Sequence, residues 1–212
     1  MRNSSGTSRA AAAAARLVPE EFRMDLTYVD VLEYRRRLGN AIWDITNARG
    51  SLVVPAAYRA AADAGDPRIP YVDEGRRAQD SELHLYAQRK YRGYDASMRL
   101  ASGLEARYIA AEAEPAAGGR LALVNERRAL AGEPPLGPDT PERALLAELM
   151  RQRSFDFWME AKRAGDIRRH GALVPFLPGA GEPYYKPRLG TVAGQRCWPV
   201  PDTETRYNPH WR

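Results

Sequence analysis

TPERALLAELMRQRSFDFWMEAKRAG, residues 140–165, carries the clearest structural pattern in this chain of 212 residues. Thr140 is a suitable N-cap residue, and Pro141 fits the first helical position, where its missing N–H would be unpaired anyway. Leucine, methionine and aromatic side chains then recur every three or four residues, as the buried face of an amphipathic helix requires. The segment therefore predicts one long helix that continues as far as Gly165.

Two shorter helices are predicted just before this segment, over residues 100–114 and 120–130. Pro115 and the pair Gly118-Gly119 separate them, because proline and glycine interrupt helices. Two antiparallel helices joined by a short loop are typical of tetratricopeptide hairpins, whose repeat is about 34 residues long. The predicted fold class is therefore mainly α, with tetratricopeptide-like helical hairpins and long irregular loops.

The other segments carry weaker patterns. A helix is predicted over residues 56–64, because Pro55 is well placed to begin it. Residues 71–95 are polar and rich in tyrosine, which predicts a loop with short extended pieces. The tail from Gly171 is rich in proline and glycine, and we expect it to be mostly irregular, with an extended piece at residues 195–200.

The start of the chain, MRNSSGTSRAAAAAAR at residues 1–16, is of low complexity. It has no large apolar side chain after Met1, so we expect it to be disordered. It is a weak candidate for an export signal, because its apolar stretch consists only of alanine and is interrupted by serine and arginine. We therefore expect either a cytoplasmic chain or a natural start upstream of Met1. Residues 17–212 are predicted to form the folded domain.

The charge pattern argues against a nucleic-acid partner. The chain has 32 lysine and arginine residues against 27 acidic ones, a net charge of +5. The two signs are interleaved with no basic block, whereas nucleic-acid surfaces concentrate basic residues. Mean hydropathy is −0.56, and no apolar run approaches the ~20 residues of a membrane helix.

The sequence contains no signature of a common catalytic, metal or cofactor site. The three histidines lie far apart and Cys197 is the single cysteine, so we predict no metal and no cofactor. Asp156, Glu160 and Asp166 could supply acid–base carboxylates, but arginines surround them and favour ion pairs. Arg163 is close enough to Asp166 in sequence to fix the turn after the helix.

Aromatic residues are the remaining candidates for ligand contact. The chain has 4 Trp, 11 Tyr and 4 Phe, and the flat apolar rings with polar edges of tyrosine and tryptophan suit sugar rings and interfaces alike. Trp158 falls on the apolar face of the long helix and is predicted to be core. Trp43, Tyr58, Tyr184 and Tyr185 lie in or near loop-rich segments, and we take them as candidate ligand-binding residues, although packing on the domain's own surface is the commoner role.

Several segments, taken in order, resemble the SusD/RagB family of outer-membrane nutrient-binding lipoproteins. The strongest is ELMRQRSFDFWMEAKRAGDIRRHG, residues 148–171, which is similar to the family's long helix E-R-x-x-E-x-x-F-E-G-x-R-x-x-D-L-x-R-x-G. The family usually has glycine where Ala161 stands. The resemblance covers roughly residues 54–212. The other matching segments are DPR (66–68), KY (90–91), RLASGLEARYIAAEA (99–113), LVN with Arg128 and Gly132 (123–132), and PVPDTETRYNP (199–209).

The resemblance implies the carboxyl-terminal half of a SusD/RagB-like protein with a mostly helical body. It implies non-catalytic capture of glycans or other oligomeric nutrients at the extracellular face of the outer membrane. The partner would be a SusC-like TonB-dependent transporter, on which the binding protein sits as a lid. Family members also carry a lipid on an N-terminal cysteine, and no such cysteine occurs here. The matching positions that we expect to hold the scaffold, without touching ligand, are Glu160, Arg163, Asp166, Arg169, Asn208 and Pro209.

Two other functions stay open. A glycoside hydrolase would use Asp156, Glu160 or Asp166 as acid and base. A helical protein-interaction scaffold would bind a protein and no small ligand.

Overall fold

A computed structural model describes residues 4–113, 117–177, 181–184, 186–192 and 201–208 of the chain. The helices are α1 (Ser4–Ala15), α2 (Arg35–Leu38), α3 (Ala41–Trp43), α4 (Ala56–Asp63), α5 (Gly103–Ala113), α6 (Ala117–Leu130), α7 (Glu142–Asp156), α8 (Arg163–His170) and α9 (Asp202–Tyr207). A π-helical segment, Asp44–Ala48, follows α3, and single 3₁₀ turns occur at Gly171–Leu173 and Pro187–Leu189. The strands are β1 (Arg23–Leu26), β2 (Tyr71–Arg77), β3 (His84–Gln88) and β4 (Met98–Ser102).

The fold is mixed α and β, so the prediction of a mainly α body of tetratricopeptide-like hairpins is wrong. The strands form two antiparallel sheets, β1 with β4 and β2 with β3. The β1–β4 sheet pairs Arg23 with Ser102 and Leu26 with Met98, two segments far apart in the sequence. Such a pairing leaves no local signal, because each strand is only four or five residues long and its partner is remote.

The β2–β3 hairpin occupies the segment that was predicted to be a loop with short extended pieces, so the extended pieces are present but pair as an antiparallel sheet. Leu85 and Ala87, two residues apart on β3, are fully buried, as a strand with one face on the core requires. The register shifts between Asp73 and Arg77 on β2, and this irregularity weakens the alternation that would have indicated a strand.

The helices of the second half surround one core. Tyr108 of α5, Val124 of α6 and Leu149 of α7 are completely buried there. α5 and α6 confirm the two short helices predicted from the sequence. At the start of α5, Gly103 allows a close approach, because a Cβ atom there would lie 2.3 Å from the carbonyl oxygen of Pro19.

The start of the chain, expected to be disordered, contains helix α1, which contacts α5. Ala12 and Ala15 are buried in this contact. Alanine has the highest helix propensity, and its small side chain lets two helices approach closely, so large apolar residues are not needed here.

The long helix ends earlier than predicted. α7 stops at Asp156, and residues 157–162, here called the dividing turn, lead into α8. The prediction of one helix to Gly165 is therefore wrong. The break sends Phe157 into the core of α5, α6 and α7, while Trp158 joins a second core with Tyr58.

Candidate functional site

Two clefts lie on either side of the dividing turn. Asp156 and Glu160 line one of them, together with many basic residues. Phe157, Trp158 and Met159 line the other, whose walls are mostly apolar. We call them the cationic cleft and the aromatic cleft.

The aromatic cleft has a volume of about 500 Å³, within the range of small-molecule sites. Its walls are the segment before α4, helix α4, the end of α7, the dividing turn, the start of α8 and a residue of the loop after α8. Its lining residues are Leu52, Val53, Pro55, Ala57, Tyr58, Arg153, Ser154, Phe157, Trp158, Met159, Ala161, Lys162, Arg163, Asp166 and Phe176.

Aromatic rings pack on one another along this cleft. Tyr58 stacks on Trp158 with ring centroids 6.2 Å apart and an interplanar angle of 25°. Phe176 lies 5.2 Å from the Tyr58 ring and stacks on Phe155 at 5.7 Å. Tyr58 and Trp158 are buried, whereas Phe176 is 38% exposed and presents an open ring. The cleft therefore offers one accessible aromatic surface backed by rigid rings.

A polar group fixes the aromatic wall. Arg163 Nη1 donates a hydrogen bond of 2.9 Å to the Tyr58 hydroxyl, and its Nη2 donates to the Pro175 carbonyl in the loop that carries Phe176. The sequence analysis expected Arg163 to pair with Asp166. Asp166 instead accepts from Arg153 at 3.0 Å, and from Arg169 at 2.7 Å.

The backbone of the aromatic cleft is strained. Met159, Ala161 and Phe176 have φ angles of 61°, 59° and 60°, the left-handed region that side chains disfavour. Within the described residues only one other non-glycine residue, Ser81, shares this conformation. Strained residues persist only where the surroundings over-determine them, and they cluster at functional sites.

The cationic cleft has a volume of about 480 Å³ and is built around buried ion pairs. Glu160 accepts hydrogen bonds from Lys90 Nζ at 2.5 Å and from Arg99 Nε at 2.9 Å. Asp156 accepts from Arg127 Nη2 at 2.7 Å and from the Tyr108 hydroxyl at 2.5 Å. Both carboxylates are therefore fully engaged by donors.

Burial and charge shift several pKa values at this cleft. Burial lowers the pKa of Lys90, and the opposing effect of Glu160 only partly offsets it. Burial raises the pKa of Tyr91 and, beside Asp156, that of Tyr108, so both phenols stay protonated at neutral pH. Burial opposes ionisation of Asp66, but the hydrogen bonds from Arg68 outweigh it and hold the pKa below its usual value.

The candidate ligand-binding residues are scattered. Tyr58 lies in the wall of the aromatic cleft, and Trp43 instead packs edge-on against Tyr94 at 4.5 Å. The backbone N–H of Tyr184 donates to Gly190, and the side chain lines neither cleft. Tyr185 is outside the described residues.

The residues expected to be scaffold have varied positions. The ion pairs and hydrogen bonds described above involve all four of the expected scaffold residues on α8 and before it, namely Glu160, Arg163, Asp166 and Arg169. Arg169 also forms an ion pair with Glu112 at 2.8 Å. Asn208 follows α9 and lines neither cleft, and Pro209 is outside the described residues, as are Cys197 and the extended piece predicted at residues 195–200.

Sequence reasoning missed Phe176 and the basic residues of the cationic cleft. Phe176 stands alone between Pro175 and Leu177, where no periodic pattern indicates a role. The basic residues come from β1, the loop before β2, the loop after β3, strand β4 and helix α6, so only the folded chain brings them together. Two short motifs, DPR at 66–68 and KY at 90–91, were the available signal for this cleft.

No protein-family model, curated protein or solved structure matches this chain. In the part of the chain that the structure describes, no cluster of three or more His, Cys, Asp or Glu side chains is arranged to hold a metal ion. The described helices also include none with the length and apolar composition needed to cross a membrane.

Proposed function

We propose that this protein is a non-catalytic glycan-binding protein that takes an oligosaccharide into the aromatic cleft. The exposure of Phe176 supports this proposal, because Phe176 lines a cleft whose walls are mostly apolar. A sugar ring has an apolar face that stacks on an aromatic ring and hydroxyl groups that bond to polar groups. Ser154, Lys162 and Arg163 are polar residues of the same lining.

The wider role follows from the resemblance to SusD/RagB proteins. In that role the protein captures a nutrient glycan at the outer membrane and passes it to a SusC-like TonB-dependent transporter. Its support is that residues of four resembling motifs meet at the cationic cleft, where Lys90 and Arg99 bind Glu160 and Arg68 lies 3.2 Å from Asp156. The proposal does not depend on the helical fold class expected at first.

Binding without hydrolysis is favoured by the contacts of the carboxylates. A glycosidase needs two carboxyl groups that flank the scissile bond of the sugar. Asp156, Glu160 and Asp166 are buried, and each accepts hydrogen bonds from basic side chains that occupy the oxygens a sugar would have to reach. These residues therefore act as anchors for arginine and lysine.

Calorimetric titration of the full chain with a panel of neutral oligosaccharides tests the proposal. For a binding sugar, Phe176→Ala is expected to weaken affinity about tenfold, since one aromatic stacking contact is worth about 1 kcal/mol or slightly more. Phe22→Ala is the matched control, because Phe22 is also 38% exposed and lines neither cleft. Equal affinities of the two variants, or release of shorter sugars during the titration, would overturn the proposal.

A further inference from the structure

The lining of the cationic cleft holds more basic than acidic residues, although Arg23, Arg68 and Arg89 pair with Asp25, Asp66 and Glu74 beside it. Of its fourteen lining residues seven are basic, namely Arg23, Arg68, Arg89, Lys90, Arg92, Arg99 and Arg127, against the two acidic residues Asp156 and Glu160. A concave surface lined by one sign of charge focuses the field and attracts ions of the opposite sign.

The two acidic residues do not neutralise the open face of the cleft. The side chains of Asp156 and Glu160 are each only 2% exposed. Their oxygens already accept from Arg127, Lys90 and Arg99. The negative charge is therefore buried beneath the surface that a ligand would meet.

Two arginines at this surface retain unused donors. Arg92 is exposed, and its guanidinium makes no hydrogen bond or ion pair with any residue that the structure describes. Arg23 is 56% exposed and, across the described ranges, donates only its Nε, to Asp25 at 2.7 Å. Both terminal nitrogens of Arg23 thus remain available.

We propose that the cationic cleft binds an oxyanion, a carboxylate or a sulfate, carried by an acidic oligosaccharide, with Arg23 and Arg92 as its direct donors. A guanidinium presents two parallel N–H groups that match the two oxygens of a carboxylate or sulfate. That the anion belongs to a glycan rests on the proposed function. A nucleic acid fits less well, because this cleft of about 480 Å³ is a local pocket and not an extended groove that could follow a phosphate backbone.

Trigalacturonate and its methyl ester are the probes, since they share one ring skeleton and differ only at the carboxyl groups, which are charged in the acid and neutral methyl esters in the other probe. The acid is expected to bind at least about tenfold more tightly than the ester at low salt, and the difference shrinks as salt screens the charges. A sulfated disaccharide distinguishes sulfate from carboxylate as the preferred group. Equal affinity of acid and ester, with the sulfated disaccharide binding no better, would overturn the proposal.

Arg23→Ala combined with Arg92→Ala is expected to weaken trigalacturonate binding about tenfold, and Arg92→Ala alone about threefold. The matched control combines Arg143→Ala with Arg168→Ala, two exposed arginines that line neither cleft and give the same net charge. Circular dichroism of each variant checks the fold. If both double variants lose the same amount of affinity for trigalacturonate, binding depends only on the net charge of the protein, and the proposed site is refuted.

The two proposals can fail separately. If neutral sugars bind through Phe176, but acid and ester bind alike and the sulfated disaccharide binds no better, the anion site is refuted and the aromatic cleft stands. If trigalacturonate binding depends on Arg23 and Arg92 but neutral sugars do not bind, the aromatic cleft is refuted and the anion site stands. Tighter binding of a single-stranded oligonucleotide than of trigalacturonate, lost in the Arg23 and Arg92 variant, would refute the glycan assignment.

Discussion

Replacing Ala161 by glycine is expected to stabilise the protein, because Ala161 is exposed and has a φ angle of 59°. The left-handed conformation costs an alanine roughly 1–2 kcal/mol, whereas glycine adopts it freely. Glycine also increases the conformational entropy of the unfolded chain, which lowers the free energy of unfolding by roughly 0.5–1 kcal/mol. The net expectation is an increase in the free energy of unfolding of about 0.5–1 kcal/mol.

Ala164→Gly provides the matched control. Ala164 is also exposed and lies three residues further along, but it has a helical conformation in the first turn of α8, where glycine costs up to about 0.5–1 kcal/mol relative to alanine. The same methyl group is removed in both variants, so the two changes should have opposite signs. The expected difference between the variants in the free energy of unfolding is about 1–2 kcal/mol.

Urea unfolding followed by circular dichroism measures this difference, with the midpoint shifting and the slope unchanged. If both variants lose stability by the same amount, residue 161 does not adopt a left-handed conformation in solution. In that case the dividing turn would not have the strained geometry described above, and α7 could continue as the sequence pattern predicts.

Two further changes test the buried network, and a third tests the separate ion pair of Asp80 with Lys186. Glu160→Gln leaves Lys90 and Arg99 without their carboxylate and should lower the free energy of unfolding by about 3 kcal/mol. A loss below ~1 kcal/mol would show that water solvates the two basic groups in place of the carboxylate. Tyr108→Phe removes the hydroxyl that donates to buried Asp156 and should cost about 1–2 kcal/mol in urea unfolding, and an unchanged midpoint would contradict that bond. The hydrogen bond from Lys186 lowers the pKa of Asp80 to about 2, so the contribution of this carboxylate to stability is complete above its ordinary pKa of 3.8 and is lost as pH falls through about 2. An NMR titration of Asp80 should show this value in the wild type and a return towards 3.8 in Lys186→Met.

The candidate site was only partly predictable. Tyr58 was identified because it is an aromatic residue in or near a loop-rich segment, and it does line the aromatic cleft. Trp43 has the same kind of sequence context, yet its ring packs on Tyr94. A single sequence cannot distinguish these two cases, because both depend on which remote side chain fills the space beside the ring.

By itself the sequence determined the helices whose apolar residues repeat over several turns: α5, α6 and most of α7. It also indicated that Asp166 lies among arginines, because Arg153 and Arg169 are close to it in the chain. The basic partners of Asp156 and Glu160 instead come from remote segments. Only the tertiary structure decided the rest. The β1–β4 sheet and the cationic cleft join segments that are remote in sequence, and the end of α7 at Asp156 comes from Phe157 and Trp158 packing into different cores. Local propensity contributes a few tenths of a kcal/mol per residue, whereas burying one large aromatic side chain contributes about 2 kcal/mol, so packing overrides the helical pattern there.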